Sequence, residues 1–178
     1  HGSPRRYTGR EAFHIFWDAK WALLVPVIIL NALAGKPLLQ HVVDEARGLD
    51  PETIVVVYGH GGETVSEAIA GDDLHWVLQQ PQLGTGHALA QAAAYLGDFP
   101  GVVLVLAGDI PLITGATLKE LLTRHAQEGN AATVLSARVP DPTGYGRVVR
   151  SADGRLKAIV EEKDADDRQR QVDEINSA

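Results

Sequence analysis

The 178-residue sequence contains no cysteine and no methionine. Without cysteine there can be neither disulfides nor thiolate metal sites, and a cytoplasmic home is the expectation. Without methionine, even at position 1, the chain is not expected to begin at a natural start. Basic charge is scarce too: 16 lysines and arginines against 23 acidic residues give a formal charge of -7. A nucleic-acid surface, which needs clustered lysine and arginine, is therefore not expected. Anionic small molecules stay admissible, because backbone N–H groups can line a pocket locally. Long apolar runs are also missing. WALLVPVIIL, Trp21 to Leu30, is broken by Pro26 and falls well short of the ~20 residues a membrane helix needs. Basic residues ahead of it and Ala32-Leu33-Ala34 behind it mimic a signal peptide, but Glu11 and Asp18 sit in what would be the basic region. A buried strand is its expected fate.

What is present, 45% apolar and 22% charged residues, fits a soluble globular domain of ordinary size with one continuous core. The first twenty residues, HGSPRRYTGREAFHIFWDAK, follow neither a helical nor an alternating period. From Pro37 the pattern sharpens. PLLQHVVDEARGL sets Leu38, Leu39, Val42, Val43 and Ala46 on one helical face, with Gly48 at the stop. TIVVVYGHGG is a β-branched strand ended by glycines; ETVSEAIAG reads as a short helix, HWVLQ as a strand and GHALAQAAAYL as a helix. VVLVLAGD, Val102 to Asp109, is the most hydrophobic strand candidate, and TGATLKELLTRHAQEG follows as an amphipathic helix with Thr114 as N-cap. Apolar strands without alternation, separated by helices, predict an α/β fold: a mainly parallel sheet with helices on both faces. Later, YGRVVRSADGRLKAIVEEKD reads as a hairpin turning at Asp153-Gly154, and the polar tail as a short helix with an extended end.

Open parallel sheets bind ligands beyond the carboxyl ends of their strands. Asp109 stands at such an end and would suit Mg²⁺ shared with substrate phosphates; a turn or cap role is the plain alternative. Gln79 ends the HWVLQ strand, and its amide can match the donor and acceptor edge of a pyrimidine. Gly84, Thr85 and Gly86 permit close backbone approach at the start of a helix, although GTGH is not a full dinucleotide fingerprint. The loop from Asp141 to Arg147 combines turn-formers with an aromatic and a cation, and reads first as structural. His60, His75 and His87 lack metal-ligand spacing, and each reads as a surface or capping histidine. No serine has a nucleophile-elbow context. The acidic run from Glu161 to Asp167 reads as a solvated face, except that Glu161 directly follows AIV and so can end a strand.

In order, LAGKP, VYGHGG, VLQQPQLGTGHA, GDIPLI, DPTGYGRVVR, VEEKDA and QRQVDEIN resemble the uridyltransferase domain of bifunctional N-acetylglucosamine-1-phosphate uridyltransferases, from Leu33 to Ala178. The resemblance implies a Rossmann-like nucleotidyltransferase fold that joins UTP to N-acetylglucosamine-1-phosphate, with Mg²⁺, and releases pyrophosphate. It implies that Gln79, Gly84, Thr85, Ala107, Gly108 and Asp109 bind the nucleotide. Asp109 would also hold the metal, as the catalytic residue, and Gly146, Glu161 and Asn176 would bind the sugar. Family members often have tyrosine where Ala107 stands. The product would be a precursor for cell-wall peptidoglycan and lipopolysaccharide. Partners would be these small molecules, with neither nucleic acid nor membrane; the family forms homotrimers through a domain this chain lacks.

Two departures stand out. The family opens with a strand and a loop of the form L-A-A-G-x-G-T-R-M, then a Pro-Lys pair; here Val27 and Ile28 occupy the places of that pair. The expected organisation is thus a divergent segment at 1–30 and a partial nucleotidyltransferase domain at 31–178, without the family's second metal residue or its β-helix acetyltransferase domain. Impaired turnover is the expectation. The alternative is a catalytically silent nucleotide-sugar-binding remnant lacking the phosphate loop.

Overall fold

A computed structural model describes residues 12–16, 30–59, 63–69, 71–96 and 99–176 of the chain. The run WALLVPVIIL lies outside the described residues apart from its last, and His60 lies outside them as well. The chain divides into two compact units, residues 1–119 and 120–178. Each has its own sheet.

The first unit holds β1 (Ala12–Phe16), β4 (Thr53–Tyr58), β5 (Leu74–Leu78) and β6 (Val103–Ala107) in the order β5-β4-β1-β6. Every pairing is parallel. Parallel neighbours cannot be joined by a tight turn and need a crossover. Between β4 and β5 the crossover carries α2 (Glu63–Ala68), and between β5 and β6 it carries α3 (Thr85–Leu96). Ile54, Val55, Val56 and Val57 are all at most 3% exposed. Successive strand residues point to opposite faces, so both faces of β4 are covered, and this is why the segment shows no alternation.

Two readings of this sheet need correction. The first twenty residues contain a strand after all, AFHIF, and it lies centrally between β4 and β6. Its aromatic and β-branched content suits a strand, but five residues are too few for a period to emerge. The most hydrophobic strand, β6, is also not the most buried. Only Leu104 and Leu106 within it are buried, because among the described residues β6 pairs with β1 alone and lies at the edge of this sheet.

Between β1 and β4 in the chain, β2 (Ala32–Leu33) and β3 (Lys36–Pro37) form a minimal hairpin through Ala34 and Gly35, both at positive φ. It delivers α1 (Leu38–Arg47), whose Leu39, Val42, Val43 and Ala46 are at most 2% exposed. The helical stripe read from the sequence is the buried face. α4 (Gly115–Glu128) begins as expected at Thr114, whose Oγ1 accepts from the Thr117 N–H at 3.3 Å.

The second unit is antiparallel, so the mainly parallel arrangement belongs to the first unit alone. Its strands β7 (Ser136–Arg138), β8 (Arg147–Arg150), β9 (Leu156–Val160) and β10 (Glu174–Asn176) lie in the order β7-β10-β8-β9. The β8–β9 hairpin turns through Gly154 at φ 82°. The polar tail holds two 3-10 turns, Glu162–Asp164 and Gln169–Gln171. The extended end is β10, an inner strand with Glu174 and Ile175 buried.

Candidate nucleotide and sugar sites

In the first unit the chain steps outward from β1 through β4 to β5, then returns to the other side of β1 with β6. Successive connections therefore leave in opposite directions at the β1–β6 boundary, the kind of switch point beyond whose strand carboxyl ends open parallel sheets bind ligands. Ala107 closes β6, Gly108 is buried behind it, and the exposed Asp109 occupies the turn at this switch point. No cluster of three or more potential metal ligands exists among the described residues. Asp109 thus belongs to no such cluster, which fits Mg²⁺ shared between a carboxylate and substrate phosphates and does not fit an all-protein metal cage.

The helix that follows the Asp109 turn is tied at its start to α1. Glu45, half-buried on α1, accepts a 2.6 Å hydrogen bond from the Gly115 N–H at the start of α4. A carboxylate there satisfies one of the orphan donors of a helix N-terminus and complements its dipole.

Gln79 follows β5 directly. Its backbone N–H donates to Tyr58 O at 2.7 Å, which prolongs the ladder by one residue and aligns its side chain with the tips of β4 and β5. That side chain is 3% exposed, and Nε2 donates to Gly84 O at 3.0 Å. Gly84 itself has φ +93° with open space where a Cβ would stand, so glycine is required by backbone conformation. The same Gly84 O accepts from the Ala88 N–H at 3.1 Å, which makes Gly84 the residue that opens α3. Thr85 is the first residue of α3, and the first N–H groups of a helix lack intrahelical partners, so they face any anion brought to this end.

His87 corrects its sequence reading. It is neither a cap nor an isolated surface residue, because Nδ1 lies 3.2 Å from Gln79 Nε2 and Nε2 lies 3.2 Å from Gln91 Nε2. The spacing of four between His87 and Gln91 was the available signal, since residues i and i+4 meet on a helix. His75 is exposed and lies against the Tyr95 ring at 5.3 Å between centroids.

In the second unit, Gly146, Glu161 and Asn176 come together. Gly146 precedes β8, Glu161 follows β9 and Asn176 ends β10, so antiparallel pairing brings all of them to one end of adjacent strands. The Asn176 N–H donates to Gly146 O at 2.9 Å. A Cβ added at Gly146 would lie 3.8 Å from Glu161 Oε1 and 3.9 Å from Asn176 Cβ.

The loop before Gly146 is fixed by a buried cation. Arg147, 1% exposed, donates through Nη2 to Glu162 Oε2 at 2.6 Å and through Nη1 to Tyr145 O. Glu162 Oε2 also accepts from the Gly144 N–H at 3.3 Å. Asp141 Oδ1 accepts from the Thr143 N–H at 3.1 Å, and Gly144 adopts φ +87°. The Arg147 guanidinium holds the Glu162 carboxyl below its ordinary pKa. Glu162 is thus not part of a solvated acidic face. Neither hydropathy nor spacing announces such a pair, because Arg147 opens β8 while Glu162 lies in the turn after β9.

The chain belongs to the MobA-like NTP transferase domain family, which it matches over residues 29–174. It is 55% identical over 149 residues to the bifunctional protein GlmU of Halorhodospira halophila (strain DSM 244 / SL1), covering 84% of this chain and 30% of that protein. With the bifunctional protein GlmU of Nitrosospira multiformis (strain ATCC 25196 / NCIMB 11849 / C 71) it shares 51% identity over 150 residues, covering 84% of this chain and 32% of that protein. The chain thus spans about a third of the length of the curated relatives it matches. Among solved structures it resembles UDP-glucose pyrophosphorylase complexed with UDP-glucose, with a TM-score of 0.69 and 16% identity, over 93% of this chain and 73% of the other. The apo UDP-glucose pyrophosphorylase gives a TM-score of 0.62 at 14% identity, over 93% and 74% of the two chains. At those identities the likeness establishes the nucleotidyltransferase fold. None of the helices among the described residues is long and apolar enough to cross a membrane.

Proposed function

We propose that this chain is the uridyltransferase portion of a protein like those relatives, joining UTP and N-acetylglucosamine-1-phosphate to give UDP-N-acetylglucosamine and pyrophosphate. The observation that carries the reading is the buried Gln79 carboxamide, bonded to Gly84 O beside the start of α3. A pyrimidine edge has somewhere to dock there, and its phosphates have helix N–H groups to meet. Gly146, Glu161 and Asn176 stand at one end of adjacent strands, where a carboxylate and a carboxamide side chain suit hydroxyl and acetamido groups.

The sugar-phosphate oxygen attacks the α-phosphorus of UTP in line, a new P–O bond forms, and pyrophosphate leaves with the electrons of the broken one. A phosphate monoester is already an anion near neutral pH, so the residues act by positioning and need no protein nucleophile. Mg²⁺ bound at Asp109 would neutralise phosphate charge. The chain's own part is to hold the base at Gln79 and Gly84, tie the start of α4 to α1 through Glu45, and seat the sugar near Gly146.

A second reading, silent binding, is favoured by one observation: the glycine-rich phosphate loop and its Pro-Lys pair are missing from the sequence. Loss of such groups costs about 3–4 kcal/mol of transition-state stabilisation each, on the scale of one oxyanion donor. An assay of pyrophosphate release with UTP, N-acetylglucosamine-1-phosphate and Mg²⁺ separates the two. Turnover with these substrates supports the transferase; binding of UDP-N-acetylglucosamine without turnover supports the silent form. Activity with another nucleotide or sugar and not with these overturns both.

A further inference from the structure

A carboxamide has one accepting end and one donating end, and half a turn of the side chain exchanges them. For Gln79, 3% exposed at the proposed base site, the way it is held decides what a ligand meets. Its nitrogen faces two groups, Gly84 O at 3.0 Å and His87 Nδ1 at 3.2 Å. A carbonyl has no hydrogen to give, so the amide nitrogen must face Gly84. His87 Nδ1 can then only accept. A neutral imidazole with an accepting Nδ1 carries its proton on Nε2, which stands 3.2 Å from Gln91 Nε2; exchanging the two near-identical ends of the Gln91 carboxamide puts its oxygen there to accept that proton. The series Gln91, His87, Gln79 and Gly84 has one consistent polarity. In it both hydrogens of the Gln79 amide are used inside the protein, and only Oε1 remains for a ligand.

We propose that His87 is a positioning residue that fixes the polarity of the Gln79 carboxamide, so that the base site offers an acceptor and selects a base with a protonated ring nitrogen. This rests on the uridine-nucleotide reading above. Uracil carries a hydrogen on N3. Cytosine has a bare N3 lone pair in its place, and two acceptors brought face to face repel. Gly84 O alone can be met by a swinging side chain; His87 holds the second hydrogen and thereby the plane of the amide. The preference is thus enforced one residue away from the base. A site that leaves a buried polar group unpaired rejects the wrong ligand more strongly than one that merely fits the right one.

The test is calorimetric titration of the 178-residue chain with UDP and with CDP. His87→Leu and His87→Phe remove both ring nitrogens; His87→Asn restores an acceptor near the place of Nδ1. The wild type prefers UDP. In the leucine and phenylalanine variants UDP affinity and the UDP-to-CDP ratio both fall by about tenfold, the scale of one buried hydrogen bond, while His87→Asn recovers most of the ratio. A merely structural role would weaken both nucleotides alike and leave the ratio where it was. Should the leucine variant fail to fold, the phenylalanine and asparagine variants are compared in its place. A wild-type preference that persists unchanged without the ring nitrogens overturns the proposal alone. A wild type that binds UDP and CDP equally overturns the uridine reading, and the proposal with it.

Discussion

Arg147 and Glu162, fifteen residues apart in sequence, meet at 2.6 Å where β8 begins and the turn after β9 starts, and their side chains are 2% and 33% exposed. The two partners are therefore unequal. Replacing Glu162 with glutamine leaves a guanidinium buried without a counter-charge, and Arg147 Nε already has no hydrogen-bond partner. Uncompensated burial of Arg147 costs about 3 kcal/mol or more. Arg147→Met leaves a carboxylate that keeps partial solvent and Arg170 at 3.7 Å, so its cost is the smaller. Urea denaturation should rank Glu162→Gln as the less stable variant. The reverse order would show that Glu162, and not Arg147, bears the burial penalty.

Gly146→Ala separates binding from folding. The added Cβ would lie no closer than 3.4 Å to any neighbour, and Gly146 is not at positive φ. The variant should melt within a few degrees of the wild type, yet the methyl fills the ground between Glu161 and Asn176. Affinity for N-acetylglucosamine-1-phosphate should fall by about tenfold, the scale of 1.4 kcal/mol. Unchanged affinity would remove Gly146 from the sugar site.

Gly84→Ala acts through the backbone. At φ +93° an L-residue is strained whatever the space around it. A cost of about 1–2 kcal/mol is expected, with a loss of nucleotide affinity as the carbonyl that holds Gln79 shifts. Chemical denaturation and a nucleotide titration read the two effects separately.

Acid should weaken the second unit through Glu174. Hydrogen bonds from Arg150 and Ser136 outweigh the burial that opposes them, and draw its pKa from the ordinary 4.5 down to about 2. A lowered carboxylate pKa stabilises the fold above the unfolded value, and that stability is lost as pH falls from about 4.5 towards 2. Glu174→Gln should flatten stability against pH in this window. The loss at neutral pH should be about 1–2 kcal/mol, after allowance for screening at the exposed Arg150 and Arg138. A pH profile of unfolding that keeps its acid limb in the variant would contradict this.

Where side chains repeat at helical spacing, as in α1, or form a continuous β-branched run, as in β4, the element and its buried face are legible from sequence. The Asp153-Gly154 hairpin is equally plain, because its turn needs a residue tolerant of positive φ. β1 is not, since AFHIF becomes a central strand only through the neighbours that flank it. Glu174 illustrates a different blindness. The polar tail gives no sign of burial, yet this carboxylate is buried because Ser136 and Arg150, remote in sequence, supply its hydrogen bonds. The grouping of Gly146, Glu161 and Asn176 followed from strand order, which no single segment encodes. His87 was missed because its partner Gln79 stands across a loop whose path depends on Gly84.

The most direct test of the uridine-sugar assignment is calorimetric titration of the chain with UDP-N-acetylglucosamine, repeated with Gln79→Ala and with Glu161→Ala. Saturable binding that each substitution weakens by about tenfold or more is the expected result. Absence of binding, or binding indifferent to both substitutions, would contradict it.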